Sequence, residues 1–218
     1  SDGSAHNFEN VDDDLRVAID ALLREAPQLR KVILWGLCDA ASACFMYAQA
    51  DPRVAGMIVA NPWVHTEAGA ATAYIKHYYG KRFLQRSFWA KVLSGKFDVW
   101  ASARDFLAKL TRSFSGRDAA PKSQFFIDRM SEGLHRFERP VLVLVSENDL
   151  VAQEFRGLCA SNAAWARLMS RSNMSSIDLP GADHTFSSRN ALSAATAHSL
   201  QWLKDRAPVR AAPDARRA

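Results

Sequence analysis

Three residues have the types and the chain order that nucleophilic catalysis requires: Cys38, Asp149 and His184. A cysteine thiol can attack a carbonyl carbon, a histidine can move the proton, and a carboxylate can orient the imidazole. Nucleophile, then acid, then histidine is a known order for such triads. The hypothesis of acyl chemistry holds only if the fold brings these three residues together.

The residues around Cys38 are typical of a nucleophile elbow, a tight turn between a strand and a helix. The run Lys31-Val32-Ile33-Leu34-Trp35 is apolar after its first residue, as expected of a strand buried on both faces. Gly36-Leu37-Cys38-Asp39-Ala40 follows, with small residues two positions either side of the cysteine, where strand and helix press together. The alternative is that Cys38 is only a small buried hydrophobe, as most free cysteines are.

The acid and the histidine each follow a predicted core strand. Asp149 comes after Val141–Val145, and His184 comes after Ser175–Leu179. Because the carboxyl ends of parallel strands lie at one edge of a sheet, both loops are expected at the same edge. Two further acids, Glu147 and Asp183, lie nearby in sequence, and a loop acid is often only a turn former. His184 could likewise be a surface or capping residue.

Alternation of strands and helices predicts an α/β fold. We expect an α/β core from residues 1–63 and 138–206, a mostly helical insertion over residues 64–137, and a disordered tail over residues 207–218. A helix is predicted from Val11 to near Pro27, a second over Ser42–Gln49, a strand over Val54–Ala60, and a last helix over about Asn190–Asp205.

Composition indicates a soluble globular protein. The 218 residues are 48% hydrophobic and 23% charged, and no apolar run reaches the roughly 18 residues of a membrane span. With no leader sequence, the expected location is the cytoplasm. The three cysteines do not have the spacing of a disulfide framework or zinc site, and we expect no cofactor, metal or nucleic-acid partner.

Positive charge is concentrated in the predicted insertion. Residues 64–137 contain 13 basic and 6 acidic side chains, whereas the whole chain has a net charge of +5. Such a patch attracts anionic partners, so the expected substrate is a small or acylated anionic molecule. Solvated helix faces would give the same composition.

The chain resembles the α/β hydrolases and, more narrowly, the exosortase A system-associated hydrolases of type 1. The resemblance rests on Trp35–Ser42, Asn61–Val64, Lys76–Tyr79, Asn148–Leu150 and Ala182–Phe186. It implies the α/β-hydrolase fold, with an eight-stranded, mostly parallel sheet and residues 64–137 as a helical cap. It also implies a setting in bacterial exopolysaccharide and protein-sorting systems, without specifying a substrate.

The resemblance also implies that the first four strands are missing, because Ser1-Asp2-Gly3 is similar to a segment that follows the fourth strand in such hydrolases. The loop after the third strand of such hydrolases, which supplies one oxyanion donor, would then be absent. The strand before Cys38 would become an apolar sheet edge. We therefore expect residues 1–218 alone to be poorly soluble or inactive.

A helix N-terminus and His184 would both favour the Cys38 thiolate, and the backbone N–H of Asp39 would supply an oxyanion donor. The leading hypothesis is a hydrolase of esters or thioesters. An acyltransferase with the same triad, and a non-catalytic hydrolase-fold partner in exopolysaccharide export, are the alternatives. The oligomeric state is not indicated by the sequence.

Overall fold

Four parallel strands form the centre of the protein in a computed structural model that describes residues 8–64 and 122–206. The strands lie side by side in chain order, and each neighbouring pair is parallel. They are β1 (Val32–Leu37), β2 (Val54–Ala60), β3 (Val141–Ser146) and β4 (Met174–Leu179). The predicted α/β class is confirmed, and β2 has the predicted bounds.

Helices follow or connect the strands. The α-helices are α1 (Asp12–Glu25), α2 (Asp39–Tyr47), α3 (Lys122–Arg136), α4 (Leu150–Ser161), α5 (Ala163–Met169) and α6 (Arg189–Arg206). Helix α2 begins directly after Cys38, three residues earlier than the sequence pattern indicated. The pair α4 and α5 was not predicted, although Asp149 and Asn162 cap their N-termini with side-chain oxygens.

The sheet separates two apolar cores. Alternate residues of the central strands point to opposite faces, and one face packs against helices α1 to α5. On this side Phe45, Phe155 and Trp165 of α2, α4 and α5 form a cluster of aromatic rings. Within the described ranges the second core contains α6, through Ala191, Ala195 and Trp202. The site is therefore positioned by a sheet whose middle strands are buried on both faces.

Strand β1 is buried on one face only, which corrects the prediction that both faces would be covered. Val32 and Leu34 belong to the larger core, whereas Ile33 and Trp35 are 39% and 53% exposed. Among the described strands β1 pairs only with β2 and forms one edge of the sheet. An apolar run alone cannot distinguish a central strand from an edge strand, because the difference lies in what the rest of the chain places beside it.

Most of the predicted cap, residues 65–121, lies outside the described residues, as do residues 1–7 and the predicted tail at 207–218. The last part of the predicted cap segment is α3. Its buried residues Phe126, Met130 and Leu134 belong to the same core as α2 and the sheet. Helix α3 therefore contributes directly to the core that supports the strands.

A glycine sets the close approach of α3 to α2. A Cβ atom at Gly133 would lie 2.2 Å from the carbonyl oxygen of Phe45, whereas a Cβ at Gly157 in α4 would meet nothing within 4 Å. Gly133→Ala should lower the free energy of unfolding by about 1–3 kcal/mol, because backbone has to move apart.

Urea denaturation of the matched variants checks this expectation. Gly157→Ala should be about 0.5–1 kcal/mol more stable than the unaltered chain, since alanine restricts the unfolded state and favours helix. Equal stability of the two alanine variants would contradict the tight packing of α3 on α2.

Candidate active site

Cys38 lies at a sharp turn between β1 and α2. Its backbone has φ 61° and ψ −121°, a conformation that is unfavourable for residues with a Cβ atom. The turn is fixed by a hydrogen bond from Cys38 N–H to the Ala60 carbonyl at 3.0 Å and by one from Ser42 N–H to the Cys38 carbonyl at 3.2 Å. This is the strand, turn and helix arrangement expected of an elbow.

The demand for small residues beside the turn is visible at Gly36. A Cβ atom there would lie 2.6 Å from the Ala40 carbonyl oxygen and 2.8 Å from the Ala41 nitrogen. Strand and helix are therefore pressed together as the sequence pattern predicted. Alanine is tolerated at position 40, because the atoms of that residue closest to Gly36 belong to its backbone and not to its methyl group.

Of the three acids near the site in sequence, Glu147, Asp149 and Asp183, it is Asp149 that contacts the His184 imidazole. The His184 Nδ1 and Asp149 Oδ2 atoms are 2.7 Å apart, and the Asp149 side chain is only 5% exposed. Since an ionised carboxylate can only accept, Nδ1 donates the hydrogen bond, and Nε2 is the nitrogen that can act as a base in the neutral imidazole. The other oxygen of Asp149 accepts from Val151 N–H at 3.0 Å, which fixes the carboxylate.

The two neighbouring acids have other partners. Glu147 accepts a hydrogen bond from Gly181 N–H at 2.7 Å, and Asp183 accepts from Ser187 N–H at 2.8 Å. Hydrogen bonds from Ser187 also hold the pKa of Asp183 below its usual value. Both acids therefore hold the histidine loop in place, while Asp149 contacts the imidazole itself.

Cys38 and His184 lie at the same edge of the sheet, after β1 and β4 respectively. In the described part of the chain no hydrogen bond joins the Cys38 sulfur to the imidazole. Cys38 is partly exposed and the His184 side chain is 35% exposed. The structure therefore pairs the acid with the histidine by a hydrogen bond, whereas the thiol is related to them by its position at the same edge of the sheet and by the charge of Asp149.

The pKa of the Cys38 thiol is raised, contrary to the expectation of a favoured thiolate. Burial is the largest cause, and the negative charges of Asp39 and Asp149 act in the same direction. A hydrogen bond from the Asp39 N–H opposes them. The helix N-terminus does supply a stabilising donor, but it does not outweigh burial and two carboxylates.

The other two cysteines are less suited to chemistry. Burial raises the pKa values of Cys44 and Cys159 to about 12. Cys44 belongs to the larger apolar core, as expected from its position on α2. Cys38 is the one of the three at an exposed edge of the sheet beside titratable groups.

Sequence reasoning did not identify a polar network beneath the site. Asn61, directly after β2, has φ 46° and is fully buried. Its side-chain amide contacts Ser146 at the end of β3 and the main chain of His184. The signal available was an asparagine that ends a buried strand, since asparagine tolerates positive φ better than most residues.

No group of three His, Cys, Asp or Glu residues in the described ranges could hold a metal ion. No helix there combines the length and the apolar composition needed to cross a membrane.

Asp39→Asn should lower the pKa of the Cys38 thiol, because it removes a negative charge that disfavours the thiolate. The amide oxygen of asparagine can still accept the hydrogen bond from Ala40 N–H, which Asp39 Oδ1 accepts at 2.8 Å. The rate of alkylation by iodoacetamide reports the thiolate. Its pH profile should move to lower pH.

Asp13→Asn is the matched control, because it removes one negative charge from an exposed position on α1. It should leave the pH profile of Cys38 alkylation unchanged. Superimposable profiles for Asp39→Asn and the unaltered chain would show that the Asp39 carboxylate does not act on the sulfur.

Solved structures share this arrangement of strands and helices, whereas no family model and no curated protein sequence matches the chain. An esterase from Pyrococcus furiosus, Pf2001, superimposes with a TM-score of 0.54 at 10% identity, over 93% of this chain and 65% of the esterase. The esterase domain of a Rhodothermus marinus protein gives a TM-score of 0.50 at 17% identity, over 92% and 70%. The chain spans about two thirds of the length of these proteins, and it has an α/β-hydrolase fold.

Proposed function

We propose that the protein is an acyl hydrolase, acting on esters or thioesters, in which Cys38, His184 and Asp149 form the catalytic triad. The observation that carries the proposal is the 2.7 Å contact between His184 and a buried Asp149, at the sheet edge where Cys38 occupies a strained turn. The fold shared with esterases supports an ester substrate.

The raised pKa of Cys38 favours a particular order of proton transfer. A neutral thiol is a weak nucleophile, so His184 Nε2 would take the proton as the sulfur attacks the acyl carbonyl. Asp149 would stabilise the imidazolium that forms. The thiol would therefore react by general-base catalysis, as a serine does, and would not exist beforehand as an ion pair with the histidine.

The remaining steps of the proposed reaction use water as the second substrate. The Asp39 N–H, which lies against the sulfur, would donate to the oxyanion of the tetrahedral intermediate. Collapse of the intermediate expels the alcohol or thiol, which takes the proton from His184. Water, deprotonated by His184, then attacks the acyl-cysteine. The C–S bond breaks, the carboxylic acid is released, and the proton on His184 returns to the Cys38 sulfur.

The wider setting that we propose, bacterial exopolysaccharide systems, is supported by the sequence resemblance at Trp35–Ser42 and Ala182–Phe186. An acyltransferase with the same triad would use a sugar or amine in place of water. Products formed with and without a polysaccharide acceptor distinguish these two reactions.

One observation favours a non-catalytic role as the second candidate. The Cys38 thiol has a raised pKa and no hydrogen bond to His184, as a structural cysteine would. A hydrolase fold retained for binding would show alkylation of Cys38 that does not depend on His184. The two candidates therefore differ in the effect of the histidine on the reactivity of the thiol.

Incubation of the chain with p-nitrophenyl acetate should add one acetyl group to the peptide that contains Cys38, measured by mass spectrometry. This single acylation by an activated ester is expected even if residues 1–218 alone do not turn over a substrate, as the sequence predicts. His184→Ala should slow this acylation by about 10²–10⁴-fold, the usual contribution of general-base catalysis. Asp149→Asn should also slow it, because the amide cannot select the correct imidazole tautomer.

Cys159→Ser is the matched control, since it removes a thiol distant in sequence from the elbow and should leave the acylation rate unchanged. Equal acylation of Cys38 in the presence and absence of the His184 imidazole would reject the triad and favour the binding role.

A further inference from the structure

Asn61 is positioned to connect the histidine loop to the sheet. It follows the last residue of β2, is fully buried, and has φ 46°, in the left-handed region. Its side-chain nitrogen donates to the His184 carbonyl oxygen at 3.0 Å and to Ser146 Oγ at 3.0 Å. Its side-chain oxygen accepts from Ser146 N–H at 2.8 Å. Both donors of the amide are therefore used.

The orientation of this amide is determined by its partners. A backbone N–H can only donate and a backbone carbonyl can only accept. The Asn61 oxygen must therefore face Ser146 N–H, and the nitrogen must face the His184 carbonyl. Aspartate in the same place could keep the first contact but could not make the second.

The same turn also holds the nucleophile elbow. Trp63 N–H donates to the Cys38 carbonyl at 3.2 Å, and Ser42 Oγ donates to the Trp63 carbonyl at 2.6 Å. Residues 61–63 thus contact the main chain of Cys38 on one side and that of His184 on the other. These three residues form a bridge between the two ends of the site.

We propose that Asn61 is a positioning residue, which holds the backbone of His184 so that its imidazole meets Asp149 and faces the elbow. Other contacts of the loop involve residues next to the histidine: Glu147 accepts from Gly181 N–H, Asn148 N–H donates to the Ala182 carbonyl at 2.8 Å, and Asp183 accepts from Ser187 N–H. The Asn61 contact acts on the histidine's own peptide group. The catalytic part of this proposal rests on the proposed function, whereas the geometric part does not.

Asn61→Asp in the 218-residue chain tests the contact directly. Aspartate tolerates positive φ and can accept from Ser146 N–H, but it presents an oxygen to the His184 carbonyl. Asn61→Gly, which also tolerates positive φ, removes the contact without burying a charge. Asn173→Asp is the control, because Asn173 likewise donates to backbone carbonyls, those of Phe137 and Arg139, away from the site.

Two measurements are compared across these variants. The proton on His184 Nδ1, bonded to Asp149, should give a downfield NMR resonance, and the acylation rate of Cys38 follows from mass spectrometry. Both Asn61 variants should lose or shift the resonance and acylate about 10–100-fold more slowly, the cost of misplacing a catalytic group. Asn173→Asp should retain the resonance and the rate, even if its melting temperature falls.

An unchanged resonance in folded Asn61 variants would overturn the proposal. Should Cys38 fail to acylate in the unaltered chain, the proposed function fails while the resonance still decides the role of Asn61. If neither Asn61 variant folds, the contact is tested in the unaltered chain. The side-chain amide protons of Asn61 should exchange slowly with solvent, and the side-chain amide should show NMR coupling across the hydrogen bond to the His184 carbonyl carbon. Rapid exchange would overturn the proposal.

Discussion

The register of the four parallel strands is the constraint on which the candidate site depends. Leu37 pairs with Ala60, Ala60 with Leu144, and Ser146 with Leu179. The strands therefore end nearly level, and the residues that follow them gather at one edge. A slip of one residue in any pair would turn the side chains of that strand to the opposite face. The two apolar cores, which select alternate residues of β2 and β3, protect the geometry of the site against such a slip.

Electrostatics at this edge serve two opposed requirements. The buried Asp149 fixes the tautomer of His184, and its charge also raises the pKa of the Cys38 thiol. Burial is the largest cause of the raised pKa of the Cys38 thiol, and the charge of the carboxylate that orients the base adds to it. In the proposed mechanism, Cys38 is therefore a neutral thiol before the reaction and depends on His184 for its reactivity.

Much of the fold could be predicted from the sequence, because strands and tight turns produce local residue patterns. Apolar runs predicted β1, β2 and β3, the shorter segment Ser175–Leu179 predicted β4, and the small residues around Cys38 predicted the sharp turn between β1 and α2. Helices α4 and α5 lie between two recognised strands, and their capping residues Asp149 and Asn162 were not interpreted as helix starts. Asp149 has two roles, since one carboxylate oxygen caps α4 and the other contacts His184.

Of the contacts at the candidate site, the sequence predicted the one between Asp149 and His184. Chain order suggested that Asp149 and His184 would meet, but only three-dimensional geometry separates Asp149 from Glu147 and Asp183. The exposure of Trp35 and the raised pKa of Cys38 depend on neighbours distant in sequence. Asn61 illustrates the same limit, because its partners Ser146 and His184 are far along the chain and no local pattern connects them.

The described helices cover the two faces of the sheet unequally, and this determines which helix we expect to unfold first. Among the described helices five lie on one face, whereas α6 packs on the other through the buried Ala191, Ala195 and Trp202 and the partly buried Ala194 and Leu203. Because no second described helix shares this face, α6 is a candidate for detachment before the rest of the domain. The histidine loop leads directly into α6, while the cysteine and the aspartate are held by the opposite layer. Gentle heating would then separate the base from its partners while most of the secondary structure persists.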